Sequence, residues 1–368
     1  MWLLTTATAL PPIPTTTLPG GAKLPMLYMG AGNFTTWLEM AGRGAGVKTA
    51  WTYHNQPAVL PQVYVAGLSR EDVFLETMIP CGAVDHPQPM SAEEAEGLIA
   101  QDLALLNTSY VDLLLLHHRC NTPNETARVW RVLEAARHRG VARSIGVSNF
   151  DADDLALLLQ AATLPIEVNE AHFAVGVMDW DTISFARSHQ IQLVSFSSLA
   201  AAVPMDHPTL AAIADRLNVS TATIMYKYVS AHGIAVLSSM SDAHPEYAAQ
   251  DAAIFGLELT SADAAALDAL QAGRKRTCPD CFTDVCQACA AALVARGCFP
   301  QASMPAWGRD NPHAAQCLAC AAAANHSAGV TAACGAQFMV DKACGQAGGF
   351  PTGARGGARR PGRRLSRE

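Results

Sequence analysis

Short, continuous apolar runs recur along the first 270 residues, and amphipathic stretches separate them. Val111-Asp112-Leu113-Leu114-Leu115-Leu116 is the clearest run, and a strand covered on both faces reads this way rather than as an alternation. Runs at 26–29, 73–75, 144–147, 166–168, 193–196 and 234–237 share its character, and a weaker one occupies 47–51. Between them the period lengthens to that of a helix. Ser91 and Glu94 suit a capping box, after which Ala95, Leu98, Ile99 and Leu103 fall near one face. Val129, Val132, Leu133 and Ala136 repeat the spacing, with Arg137, His138 and Arg139 before a stop at Gly140. Asp151 can cap a helix that buries Leu155, Leu158, Leu159 and Ala162, and 180–189 and 208–218 form two more.

Eight strands alternating with helices over residues 26–270 predict a (β/α)8 TIM barrel. A doubly wound open sheet would place a glycine-rich phosphate loop after its first strand, and Gly30-Ala31-Gly32-Asn33 has no third glycine opening a helix. The expected organisation is a Thr/Pro-rich lead-in at 1–19, a barrel at 20–272, a small Cys-rich helical C-terminal extension at 273–350 and an Arg-rich, disordered tail at 351–368.

Half the chain is hydrophobic and 15% is charged, enough to fill a large core. A net charge of −7 argues against nucleic-acid binding through a basic surface, and no apolar stretch approaches the ~20 residues of a membrane span. Compartment is read two ways. Nine of eleven cysteines lie beyond residue 277, and five sequons (Asn33, Asn107, Asn124, Asn218, Asn325) stand where chance gives about one, so a secretory route is one expectation. The apolar start lacks a positive n-region, which makes it a poor signal peptide.

Barrel enzymes place their chemistry at the C-terminal ends of the strands. Polar residues follow the apolar runs there: Tyr53, His117, Ser148-Asn149, Asn169-Glu170 and Ser197-Ser198. Three segments, Thr49-Ala50-Trp51-Thr52-Tyr53, Tyr110 through His117, and Ser144-Ile145-Gly146-Val147-Ser148-Asn149-Phe150, together resemble the aldo-keto reductase family over roughly residues 20 to 270. The resemblance implies hydride transfer between NADP(H) and the carbonyl of a small aldehyde or ketone, by a barrel that works as a monomer, in the cytoplasm. It assigns Tyr53 as the acid and His117 as the residue that polarises the carbonyl. At the position of the family's lysine, which lowers the tyrosine pKa, stands Met78; at that of its aspartate stands Lys48. Three explanations stay open: catalysis is weakened, Lys48 replaces the lost cation although nothing in the sequence anchors it, or the glycine-rich 42–46 marks a local sequence error. A catalytically weakened barrel that still binds nicotinamide would serve as a sensor or interaction module.

The resemblance also implies a cofactor shelf. Ser148, Asn149 and Glu170 (a glutamine in the family) meet the carboxamide, Phe196 stacks on the nicotinamide, Ser197 and Leu199 meet the pyrophosphate, and Ser238, Ser239, Gln250 and Asp251 lie toward the adenosine. The loop 238–247 holds no Lys or Arg for a 2′-phosphate, so NADPH over NADH rests on the resemblance alone. Trp51, His118 and Trp180 are expected to line the substrate pocket, with His118 facing away from His117 because a strand alternates.

The tail repeats itself: Cys286-Gln287-Ala288-Cys289 returns as Cys317-Leu318-Ala319-Cys320, each before an Ala-rich stretch. Disulfides are the first expectation, zinc the second, and an odd cysteine has Cys81 or Cys120 as a possible partner. The tail is the segment expected to mediate contacts.

Overall fold

A computed structural model describes residues 10–30, 32–239 and 244–271, all within the first of two compact units, Met1–Lys275. The Cys-rich extension with its disulfide or zinc chemistry, the Arg-rich tail and Asn325 lie outside the described residues.

A hairpin opens the chain. Strands β1 (Thr15–Thr17) and β2 (Lys23–Pro25) pair antiparallel, so the second half of the Thr/Pro-rich lead-in is part of the fold. Eight parallel strands then close a barrel in the order β10-β3-β4-β5-β6-β7-β8-β9. They are β3 (Leu27–Gly30), β4 (Gly46–Lys48), β5 (Phe74–Ile79), β6 (Val111–Leu116), β7 (Ala142–Ser148), β8 (Val168–His172), β9 (Gln192–Phe196) and β10 (Ala235–Ser238). The predicted barrel is thus present, with strand ends shifted by a few residues where apolar runs continue into polar ones.

Alternation divides each strand between two cores. Outward residues such as Leu75, Leu114, Leu116 and Val147 join the main core under the helices. Inward ones, Tyr28, Phe74, Leu113, Val168, Val194 and Ala235, form a second core with Leu18, Ala22 and Leu24 of the hairpin. The hairpin therefore closes the N-terminal end of the barrel. There Gly20 N–H donates to Glu167 Oε2 at 2.6 Å, and a side chain at 20 would strike the Arg143 carbonyl.

The helices carry the predicted caps, with one difference. Ser91 accepts from Glu94 N–H, but the Glu94 carboxylate meets His86 Nε2 at 3.2 Å instead of turning back to close the capping box. Asn107 and Asn218, two of the sequon asparagines, end helices at φ 53° and 55°, a conformation asparagine tolerates better than most residues. Trp180, expected in the substrate pocket, is exposed and packs its ring edge-on against His232 at 5.0 Å. Cys81 and Cys120 are joined to each other, which removes both as partners for the tail. Among the described residues no helix is long and apolar enough to cross a membrane.

Candidate active site

The strand ends bring together two groups of polar side chains. The first is centred on Lys48, the last residue of β4. Its neighbour in register on β5 is Glu76, and both point inward. Lys48 Nζ lies 2.5 Å from Glu170 Oε1 of β8, and the side chains of this pair are 6% and 1% exposed. Tyr28 donates its hydroxyl to Glu76 Oε2 at 2.5 Å. The expectation that Lys48 would lack an anchor is therefore corrected: the Glu170 carboxylate of β8 holds it, with Glu76 of β5 alongside. Met78 is fully buried on the same face as Glu76 and joins Leu113, Leu115 and Ala50 in the inner core.

Tyr53 hangs over this group. It ends a tight turn, Trp51–Tyr53, whose shape is fixed by Gln56, buried and donating to the carbonyls of Ala50 and Trp51 and to Asp102, each at about 3 Å. Lys48 Nζ lies 5.7 Å from the Tyr53 ring centroid. Burial lowers the affinity of Lys48 for its proton, but Glu170, Tyr53 and Glu76 outweigh it, and the ammonium is held above its ordinary pKa. Burial pushes Tyr53 up and Lys48 pulls it down, leaving it raised. Glu76 is pushed well above the usual carboxylate range by burial and then by Glu170. Glu76 Oε1 and Glu170 Oε2 are buried without an amide, amine or alcohol donor.

The second group lies after β5 and β6. The His117 ring meets Tyr53 edge-on at 6.1 Å. Its Nδ1 lies 2.5 Å from Asp85 Oδ2, and His118 Nε2 lies 3.7 Å from the same oxygen. The two imidazoles do not face opposite sides, because β6 ends at Leu116 and strand alternation ends with it. Burial, reinforced by His117, takes the His118 pKa down to about 4 against the pull of Asp85, so this ring is neutral.

The cofactor shelf assembles in part. Ser148 donates to the Glu170 carbonyl at 2.9 Å, and Asn149, at φ 63°, donates to the His117 carbonyl at 3.0 Å. Phe196 is half-buried and stacks on His172 at 5.8 Å; Ser197 is exposed at φ 52°, and Leu199 is half-buried. Ser238 donates to Asp251 at 2.5 Å, both buried, while Ser239 and Gln250 are exposed. Burial raises Asp251 to about 6 although the Ser238 hydroxyl opposes it. Trp51 is half-buried, with its indole N–H 3.4 Å from Gln101.

Three residues of the site were not singled out from sequence. Glu76 and Tyr28 carried a usable signal, since polar groups inside apolar strands are rarely accidental. Asp85 carried none, since it lies in a loop six residues beyond Ile79.

A profile of the Aldo/keto reductase family matches residues 46–204. The uncharacterized oxidoreductase YtbE of Bacillus subtilis is 30% identical over 228 residues, 61% of this chain and 78% of that protein. Glyoxal reductase of the same organism is 27% identical over 264 residues, covering 70% and 92%. Among solved structures, an aldo-keto reductase of Brucella melitensis aligns at TM-score 0.63 and 25% identity, covering 70% of this chain and all of that one. A Bombyx mori aldo-keto reductase in complex with NADP aligns at TM-score 0.63 and 21% identity, covering 71% and 94%. The class defined by the closed barrel and its polar mouth is that of the barrel oxidoreductases. This chain belongs to the aldo-keto reductase family.

Proposed function

We propose that the chain reduces a small aldehyde or ketone to the alcohol with NADP(H), with Tyr53 as the acid and Lys48 supplying the cation that the family places at position 78. The observation that carries this is the buried Lys48 ammonium, fixed by Glu170 at 2.5 Å and 5.7 Å from the Tyr53 ring. A cation and its anchoring carboxylate are both retained, but rebuilt from β4 and β8. The cofactor supplies the hydride when bound. The shelf suits it: Ser148 and Asn149 stand beside the Glu170 strand end with polar side chains for the carboxamide, and Phe196 offers a flat apolar face. NADP(H) as the cofactor is taken from relatives such as the NADP-bound Bombyx mori protein.

His117 turns its Nδ1 to Asp85, so Nε2 is the nitrogen left to meet the carbonyl oxygen. Tyr53 holds its proton at neutral pH as an ordinary tyrosine does, and its raised pKa further disfavours alcohol oxidation, where it must start as phenolate, relative to reduction, where it starts protonated. The same raised value favours a second reading, a nicotinamide-binding barrel whose chemistry is slow. NADPH oxidation with a reactive aldehyde separates the two. Under the first reading Tyr53→Phe lowers kcat by roughly 10²–10⁴-fold and leaves NADPH binding, read by fluorescence, in place. Binding without turnover in the wild-type protein selects the second. Turnover indifferent to Tyr53→Phe rejects Tyr53 as the acid.

A further inference from the structure

We propose that Asp85, His117 and His118 form a divalent-metal site at the barrel mouth, of the kind that takes Zn2+, and that the ion there sets which nitrogen of His117 carries the proton.

The three side chains offer one carboxylate oxygen and two imidazole nitrogens, all within 4.8 Å of one another. Their side chains are only 12%, 13% and 15% exposed, so the donors are shielded from bulk water but not sealed. Two imidazoles and one carboxylate, with a further position open to water or substrate, is a set that zinc accepts. The two distances that involve Asp85 bracket what an ion needs. Tetrahedral bonds of about 2.0–2.1 Å put neighbouring ligand atoms roughly 3.3 Å apart. Asp85 Oδ2 to His118 Nε2, at 3.7 Å, closes slightly around an ion, and Asp85 Oδ2 to His117 Nδ1, at 2.5 Å, opens.

The loops that carry the donors are held against each other. Cys81, at the foot of the Asp85 loop, is bonded to Cys120, two residues beyond His118, with their Cα atoms 4.8 Å apart. Between them Gly82, at φ +75°, passes so close to the Arg119 carbonyl that a Cβ would lie 2.1 Å from its oxygen. Asp85 is held over the histidines by this contact and by a four-residue helix, Gly82–Asp85, short enough to move by the fraction of an ångström required.

Without an ion, Nδ1 of His117 faces Asp85 Oδ2 at 2.5 Å, and with the proton on that nitrogen a neutral ring presents only a lone pair at Nε2. A carbonyl oxygen needs a donor there. With an ion on Nδ1, the proton of the neutral ring sits on Nε2, facing the substrate as a donor. This consequence for catalysis rests on the proposed function; the site itself does not.

The test uses the full chain, stripped with a chelator and reloaded with Zn2+ or Co2+ alone. Metal content after dialysis is compared with that of Asp85→Asn and His118→Gln, so that metal held by the tail cysteines cancels. The wild-type chain is expected to hold one more equivalent than either variant. The wild-type-minus-variant Co2+ difference spectrum is expected to contain visible d–d bands free of thiolate charge transfer. Zn2+ is expected to raise the wild-type thermal midpoint by more than that of the variants. Equal metal content and equal spectra in all three proteins overturn the site. Matching thermal unfolding of the metal-free proteins shows that the variants fold, and if one does not, the other still decides. Long-range proton–nitrogen spectra of the imidazoles read the tautomer directly: Zn2+ is expected to move the His117 proton to Nε2, and a proton remaining on Nδ1 overturns the second half of the proposal.

Discussion

Two buried ion clusters in this barrel make opposite choices. At the floor, Asp112 of β6 accepts from Arg70 at 2.8 Å, Arg143 at 2.8 Å and the Leu75 N–H at 3.0 Å. Both guanidiniums also stack on Tyr110, at 4.1 and 4.3 Å. Two cations share one carboxylate, and both its oxygens are used. At the mouth, one cation, Lys48, is paired to Glu170 with Glu76 beside it in register, and the two carboxyls hydrogen-bond each other. A carboxylate held by two guanidiniums through both oxygens ties a fold together, whereas two carboxyls that share one cation, with a pKa pushed far up, have capacity left for a proton. The backbone repeats the contrast. His54, Asn149 and Ser197 take positive φ just past strand ends at the mouth, while Asn107, Gln190 and Asn218 take it in the turns that end helices.

The most severe way to break the comparison is Lys48→Met. It leaves two carboxyl groups buried without their cation, and an unfolding free energy lower by about 3–5 kcal/mol is expected in a denaturant titration. Lys48→Met with Glu170→Gln should recover much of that loss, because the uncompensated charge is gone. A Lys48→Met chain as stable as the wild type would mean that the mouth cluster contributes nothing to folding.

Asp251 tests the mouth through pH. Its folded pKa, about 6, lies above the 3.8 of an unfolded aspartate, so the native chain holds the proton longer. Stability from this group is present below about pH 4 and is lost as pH rises toward 6, by at most about 3 kcal/mol. Asp251→Asn should flatten the stability profile in that window; an unchanged slope assigns the effect to other carboxyls. The smallest effect belongs to the floor. Arg143 is 49% exposed, and without it Asp112 still has Arg70 and the Leu75 amide. Arg143→Gln should cost less than about 1 kcal/mol and leave turnover unchanged.

The barrel was legible in sequence because strands covered on both faces write themselves as apolar runs, and Val111–Leu116 is one of them. Tyr53 and His117 were legible by position, at the ends of such runs. The partners of Lys48 were not. Glu170 lies 122 residues away and reaches Lys48 across the barrel interior, a closure that periodicity does not encode. The shared orientation of His117 and His118 was misjudged because alternation was carried one residue past the end of the strand.

The N-terminal hairpin has a consequence for the order in which the chain is made. Leu18 and Leu24 leave the ribosome well before the barrel strands, yet their core partners include Val168, Val194 and Ala235. The plug cannot seat fully until translation has passed the last barrel strand, so these apolar residues wait a long time for cover. The tight seat of Gly20 against Glu167 and the Arg143 carbonyl makes that docking a late event which only the finished barrel can accept.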